Sequence, residues 1–315
     1  MKKFNLINWI GAASIAVAAM SCGGSNNAAQ DTATSGEIRI SVDETFAPIM
    51  EAQISSFQSL YPRAKINAAY KAEAQAFQDL LTDSIRFAVV TRDLNTDERA
   101  TFDKWKITPR VIKIAVDGIA LVVNKANADT TLTLAQVRDV FTGKIKNWKE
   151  LDSKAPADPI TLVFDNSNSS TARFIVDSIN QKQPLPTNTY ATKTNKNLIE
   201  YVAQNKNAIG VIGVNWVSDR DDPTTTRFLS QVNIVGVSRS NSPATNDDYV
   251  QPYQAYLADG TYPLRREVFI ISKEARVGLG TGFASFVSGD KGQRIILKSG
   301  LVPATMPVRI VGFRE

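Results

Sequence analysis

Residues Ile160 to Ile179 read ITLVFDNSNSSTARFIVDSI. Ile160, Leu162, Val163 and Phe164 form a short apolar run of the kind found in buried strands. Asp165 to Ser170 is small and polar, and from Thr171 onward Phe174, Ile175 and Ile179 recur at helical spacing. The stretch is therefore a strand, a loop and a helix in direct succession. Ser169, Ser170 and Thr171 stand where the helix begins, and hydroxyl residues there satisfy unpaired backbone N–H groups. A helix start also carries partial positive charge, so hydroxyls and amides converging on it suit a small anion. Arg173, in the first turn, opposes the helix dipole, a cost that an anion in front of it would offset. The same hydroxyls also suit a plain helix cap.

The pattern recurs along the chain. Glu37 to Val42 alternates Ile38, Ile40 and Val42, a strand that leads into Asp43-Glu44-Thr45-Phe46. A helix follows with Ile49, Ile54, Phe57 and Leu60 on its apolar side and Pro48 in its first turn. Lys65 to Tyr70 reads as a strand, Ala72 to Thr82 as a helix, and Phe87 to Val90 as a strand that ends at Thr91-Arg92. Val111 to Val116 and Ile119 to Val123 read as strands broken by Asp117-Gly118. Leu134 to Phe141 and Leu198 to Ala203 are helical, and Ile209 to Val214, Val232 to Val237 and Val268 to Ile271 are strands. Gly282 to Val287 and Gly292 to Lys298 are helical, whereas Asp219 to Thr226 reads as a polar loop and Gly278 to Gly282 as a flexible one. Such alternation predicts an α/β architecture with mostly parallel sheets. Ligands of open α/β sheets sit at the carboxyl ends of strands. Three hydroxyl-rich strand ends, Asp43 to Phe46, Thr91-Arg92 and Asp165 to Thr171, would then enclose one small oxyanion.

Composition narrows the chemistry. The 315 residues suffice for two domains, and 43% hydrophobic with 21% charged content is ordinary for a globular protein. A net charge of +5 without any basic run argues against nucleic acid as a partner. Histidine is absent, which removes Ser-His-Asp triads, His–Cys dyads and most zinc sites. Neither a phosphate-cradling Gly-Lys-Ser loop nor a dinucleotide fingerprint occurs, so no cofactor and no metal is expected. The carboxylate pairs Asp221-Asp222 and Asp247-Asp248 lie in polar loops and read as solvated. At the N-terminus, Lys2 and Lys3 precede an apolar stretch to Met20 and then Ser21-Cys22, which resembles a bacterial lipoprotein signal over residues 1–22. Cys22 is the only cysteine, so a disulfide framework is excluded and lipidation explains its position. Residues 23–35 are small, polar and aperiodic, the composition of a flexible tether.

With these residues in view, the chain resembles phosphate-binding proteins of the PstS type, the substrate-binding component of phosphate ABC transporters. The resemblance spans nearly the whole mature chain. It is densest in DGIALVVNKANADTTLTLAQVRDVFTGKIKNWKEL, Asp117 to Leu151. Phe87 to Arg92, Ile209 to Gly213, Tyr262-Pro-Leu-Arg-Arg266 and the tail Gly292-Gln293 through Gly300-Leu-Val-Pro303 add to it. It implies a type II periplasmic-binding-protein fold: two α/β lobes, a cleft between them, and two chain crossings, near Asp117-Gly118 and Tyr262 to Arg266. Lobe 1 would be residues 36–116 and 267–315, and lobe 2 residues 117–266. Hinge closure over the ligand is the motion such a fold implies.

Carried over by position, Thr45 and Phe46 match the first ligand loop, Thr91 matches a small hydroxyl contact, and Ser169 and Thr171 match a Ser-Gly-Thr in which Ser170 replaces the glycine. Many members have an arginine at Asp165 and the well-known ones an aspartate at Arg92, so the signs are exchanged here. On one reading Arg92 pairs with the anion from lobe 1, Arg173 adds a second cation, and Asp165 accepts the proton of monohydrogen phosphate. On another, Arg92 and Asp165 form a salt bridge across the cleft without touching ligand. The resemblance implies a monomeric, lipid-anchored receptor facing the periplasm, with inorganic phosphate as cargo and ABC-transporter permease subunits as partners. A sensor or scavenger of an oxyanion, and a phosphatase on the same fold, are the alternatives.

Overall fold

The computed structural model describes residues 31–127, 130–218 and 223–308. The expected signal segment, Cys22 and the first part of the expected tether lie outside the described residues. The described strands are β1 (Gly36–Asp43), β2 (Ala64–Lys71), β3 (Phe87–Val90), β4 (Arg110–Asn124), β5 (Thr131–Thr133), β6 (Thr161–Phe164), β7 (Thr189–Ala191), β8 (Ala208–Gly213), β9 (Val232–Ile234), β10 (Gly236–Ser238), β11 (Arg265–Ser272) and β12 (Val302–Pro303). The described helices are α1 (Ala47–Leu60), α2 (Glu73–Leu81), α3 (Thr96–Lys104), α4 (Leu134–Phe141), α5 (Ser170–Phe174), α6 (Asn195–Gln204), α7 (Pro223–Gln231), α8 (Gln254–Ala258), α9 (Leu279–Ser288) and α10 (Asp290–Lys298). A wider π-type turn, Ile175–Ile179, continues α5.

The result is a mixed α/β fold in which one curled sheet runs through two halves. The main sheet runs β2-β1-β3-β11-β4-β8-β6-β7. Pairing is parallel on both outer flanks, β1 with β2 and β3, and β6 with β7 and β8. It is antiparallel where β11 and β4 join the flanks. All of β3 and all of β8 is buried, which accounts for their unbroken apolar sequences, since parallel strands are covered on both faces. Gly210 in β8 lets α6 pack close: a Cβ there would lie 2.8 Å from Leu198 Cδ2 and Val202 Cγ2.

The two strands expected around Asp117-Gly118 are one. β4 continues without a break, pairing with β11 from Arg110 to Gly118 and with β8 from Ile119 to Val123. It therefore belongs to both halves of the sheet. A buried aspartate and a glycine read as a break in sequence, but Arg266, opposite Asp117 in the register, neutralises the charge within the strand pair.

Other expectations are corrected. Gly278 to Gly282 is the start of α9, where the Glu274 carboxylate accepts from the N–H groups of Gly280 at 3.0 Å and Thr281 at 2.6 Å and so caps the helix. Thr226, placed in a loop by its polar neighbours, lies within α7, which opens on Pro223. Val232 to Val237 divides between β9 and β10, which belong to different sheets. Residues 31–35, assigned to the tether, are tied down: Asp31 pairs with Arg276 and accepts from the Leu279 N–H at 3.1 Å.

Candidate functional site

The loop after β1 is fixed by its own backbone. Asp43 Oδ1 accepts from the Thr45 N–H at 3.1 Å, closing a 3-10 turn over Glu44–Phe46. From the other half of the sheet, Asn215 Nδ2 and Trp216 Nε1 each donate to the Thr45 carbonyl at 2.8 Å. Gly213 completes the seat, because a Cβ there would come within 2.5 Å of Thr45 Cγ2.

The loop after β6 faces it. Ser169 caps α5 by accepting from the Ala172 N–H at 3.3 Å, and its hydroxyl donates to the Asn166 carbonyl at 2.7 Å. The Ser169 and Thr171 hydroxyls are 2.8 Å apart, and Thr171 donates to Asp165 Oδ1 at 2.8 Å. Asp165, Ser169, Ser170 and Thr171 are all buried. Across the two halves, Thr45 Oγ1 lies 3.5 Å from Ser170 Oγ.

Arg266 joins this cluster from β11. Its Nη1 donates to Ser170 Oγ at 2.7 Å and its Nε to Asp117 Oδ2 at 3.0 Å. Nη2 lies 3.0 Å from the same carboxylate oxygen, in poor alignment, and completes no hydrogen bond. Asp43 Oδ2 and Asp117 Oδ1 are likewise buried without a hydrogen-bond partner. Unpaired buried polar atoms are uncommon, and these three belong to Arg266 and to the two carboxylates that its charge acts on.

A second cluster adjoins the first. Glu73, in the first turn of α2 and 2% exposed, accepts from the Thr91 N–H and the Thr91 hydroxyl, both at 2.6 Å, through Oε1. Its Oε2 accepts from Arg173 Nε at 2.6 Å, and Arg173 Nη2 donates to Thr91 Oγ1 at 2.7 Å. Arg92 does not reach Asp165. Its guanidinium makes a bidentate pair with Glu98 at 2.7 Å and 2.7 Å and lies over the Phe77 ring at 3.7 Å, so the cross-cleft salt bridge is not formed. A cavity of about 270 Å³ opens between Glu73, Phe77, Arg92, Ser169, Arg173 and Leu185. A larger one, about 540 Å³, lies among Val217, Leu229 and Tyr253, away from these groups.

The electrostatics follow from burial. Burial first, then the Glu73 and Asp165 carboxylates, push Asp43 up to about 7 against the pull of Arg266 and Ser170. Burial and Asp165 push Glu44 up to about 7, although Asn195 donates to it. Burial also raises Asp117, which Arg266 partly offsets, and raises Asp165 despite the Thr171 and Ser169 hydroxyls. Glu73 behaves oppositely: burial acts to raise it, but the Arg173 charge and the Arg173 and Thr91 hydrogen bonds hold it below the usual carboxylate range.

Thr45, Phe46, Asp165, Ser169, Ser170 and Thr171 thus gather in one buried cluster, with Thr91 and Arg173 beside it and Arg92 turned away to Glu98. Sequence reasoning missed Arg266, Asp117 and Glu73 as members. Arg266 and Asp117 were in view as chain crossings, but their pairing joins residues 149 apart. Among the described residues no cluster of acids suits a metal ion.

Comparison with known proteins gives a consistent result. The family described as "PBP superfamily domain" matches residues 27–291. Phosphate-binding protein PstS of Staphylococcus aureus (strain USA300) is 28% identical over 276 residues, 86% of this chain and 80% of that protein. A putative phosphate ABC transporter substrate-binding protein from Clostridium perfringens, solved with bound phosphate, superposes with a TM-score of 0.71 at 25% identity, covering 85% of this chain and all of that one. An ABC-type phosphate transport receptor from Vibrio cholerae shares the fold, with a TM-score of 0.64 at 20% identity over 85% of this chain and 100% of that one. With most of its length matched by the family and its two half-sheets meeting at a buried polar cluster, the chain belongs to the PBP superfamily domain family.

Proposed function

We propose that this protein binds inorganic phosphate between its lobes and delivers it to the permease subunits of an ABC importer. The observation that carries the reading is the meeting of Thr45 and Ser170 from opposite half-sheets, 3.5 Å apart, under the incompletely bonded guanidinium of Arg266. The Thr45, Ser169, Ser170 and Thr171 hydroxyls, with Phe46 bringing its main-chain N–H, supply neutral donors, and Arg266 supplies a cation suited to an oxyanion. Arg173 is the second cationic contact, and Thr91 a further hydroxyl. Arg92 takes part only by leaving Glu98. The Staphylococcus aureus relative is named a phosphate-binding protein and the Clostridium perfringens one was solved with bound phosphate, which supports the same cargo here.

The cluster is rich in carboxylates, so a doubly charged anion enters it together with protons. Asp43 and Glu44, both near 7 before binding, are the groups that take them up. Protonated carboxyls then donate to the ligand rather than repel it. Affinity for phosphate therefore rises as pH falls from 8 toward 6. Asp165 is a third acid of the cluster, and it accepts the proton of monohydrogen phosphate.

The reading is one of binding without turnover, in the bacterial cell envelope and facing the periplasm. On this reading Cys22 carries the lipid anchor and the protein works as a monomer. Calorimetric titration of the envelope-purified chain with phosphate, arsenate and sulfate tests the function, and the mass of the same preparation reads the lipid on Cys22. Phosphate and arsenate are expected to bind. Thr45→Val and Ser169→Ala each weaken phosphate about tenfold, the loss of one hydrogen bond to a charged group. No heat with phosphate between pH 6 and 8 defeats the reading.

A further inference from the structure

The donors that this reading assigns to the ligand are already in use. Thr91 gives both its N–H and its hydroxyl to Glu73, and Arg173 gives its Nε to the other oxygen of the same carboxylate. All three contacts are 2.6 Å long, and the carboxylate is almost wholly buried. A negative group held by a backbone N–H, a hydroxyl and a guanidinium is bound as a small oxyanion is bound. The Arg173 contacts, to Glu73 and to Thr91, join opposite halves: α2 and the end of β3 on one side, α5 on the other.

We propose that Glu73 is a built-in anion: it holds the cleft closed in the absence of cargo, and phosphate gains Thr91 and Arg173 by displacing it. This rests on the phosphate reading of the same cleft. The cavity beside Glu73, about 270 Å³, gives the displaced side chain somewhere to go. Arg173 keeps a second carboxylate, Asp177 at 3.2 Å, and so stays in place when Glu73 leaves. The groups facing Glu73 are Arg173 from α5, Asp43 from β1 and Glu98 from α3. The two acids repel it, so release from Thr91 relieves Asp43 as well. A receptor latched in this way stays shut when empty and discriminates against anions too weak to displace a carboxylate.

Electron–electron distance measurement on the full chain tests the latch without any ligand. Spin labels at Lys104→Cys, in the first half, and Lys154→Cys, in the second, report the opening, with Cys22→Ser leaving no other cysteine in the chain; both labelled sites are exposed. The unsubstituted cleft is expected to give one short distance that phosphate does not change. Glu73→Gln and Glu73→Ala lengthen or broaden it, and phosphate restores it. In titration Glu73→Ala binds phosphate at least tenfold more tightly, whereas Arg173→Gln opens the cleft and binds more weakly. A ligand-free distance unchanged in a folded Glu73→Gln protein overturns the proposal, as does weaker phosphate binding in both Glu73 variants. If the distance responds but no form binds phosphate, the latch stands and the cargo has been misassigned.

Discussion

Asp43 is a carboxyl group kept in a place that favours its neutral form. Its ordinary value is 3.8, and burial beside Glu73 and Asp165 lifts it to about 7. The unfolded chain ionises first as pH rises, so the folded state loses stability between about pH 4 and pH 7 and nothing further above that. Asp43→Asn keeps an oxygen for the Thr45 N–H and removes the ionisation. In denaturant titrations at pH 4.5, 6 and 7.5, the variant is expected to gain on the unsubstituted protein steadily with pH; a constant difference would place the charge elsewhere. Glu73 works in the other direction, stabilising above its unfolded value near 4.5 and losing that contribution as pH falls through its lower folded value. At this scale the hydroxyls were legible because Ser169, Ser170 and Thr171 sit together where a strand run gives way to a helix run. Glu73 was not, since an acid in a first helical turn ordinarily answers the helix dipole and nothing more. Arg266 was not legible either, because only the strand register brings it to Asp117 and Ser170.

Among the elements, β8 shows how tightly the site is seated. Its sequence AIGVIG is buried throughout, and both glycines are there for close approach. At Gly210 the neighbours are Leu198, Val202 and Val122, all under 3 Å from an added Cβ, so the α6 face has to shift. Gly210→Ala is expected to cost about 1–3 kcal/mol of stability by overpacking, read as a shift in the denaturant midpoint, with phosphate affinity unchanged. Gly213→Ala, by contrast, presses on Thr45 itself, and the loss appears in affinity. Strands such as β3 and β8 were plain from their apolar runs. The start of α9 was not, because three glycines in five residues suggest a loop, and the Glu274 cap that holds them helical depends on a turn outside the run.

For the molecule as a whole, the strand shared between the halves decides how it comes apart. β4 supplies the edge on which β11 and β12 close one side and β8 and β9 close the other. Neither side keeps an intact sheet if that strand leaves, and the buried core packs continuously along it. Heating is therefore expected to give a single calorimetric peak whose measured enthalpy equals the van't Hoff value, as for a small one-domain protein. Two resolved peaks would mean that each half carries its own stability. A shared backbone of this kind ties the melting of one half to the melting of the other. A protease cut in either half then destabilises both, and partly degraded receptor does not linger as a trap for cargo.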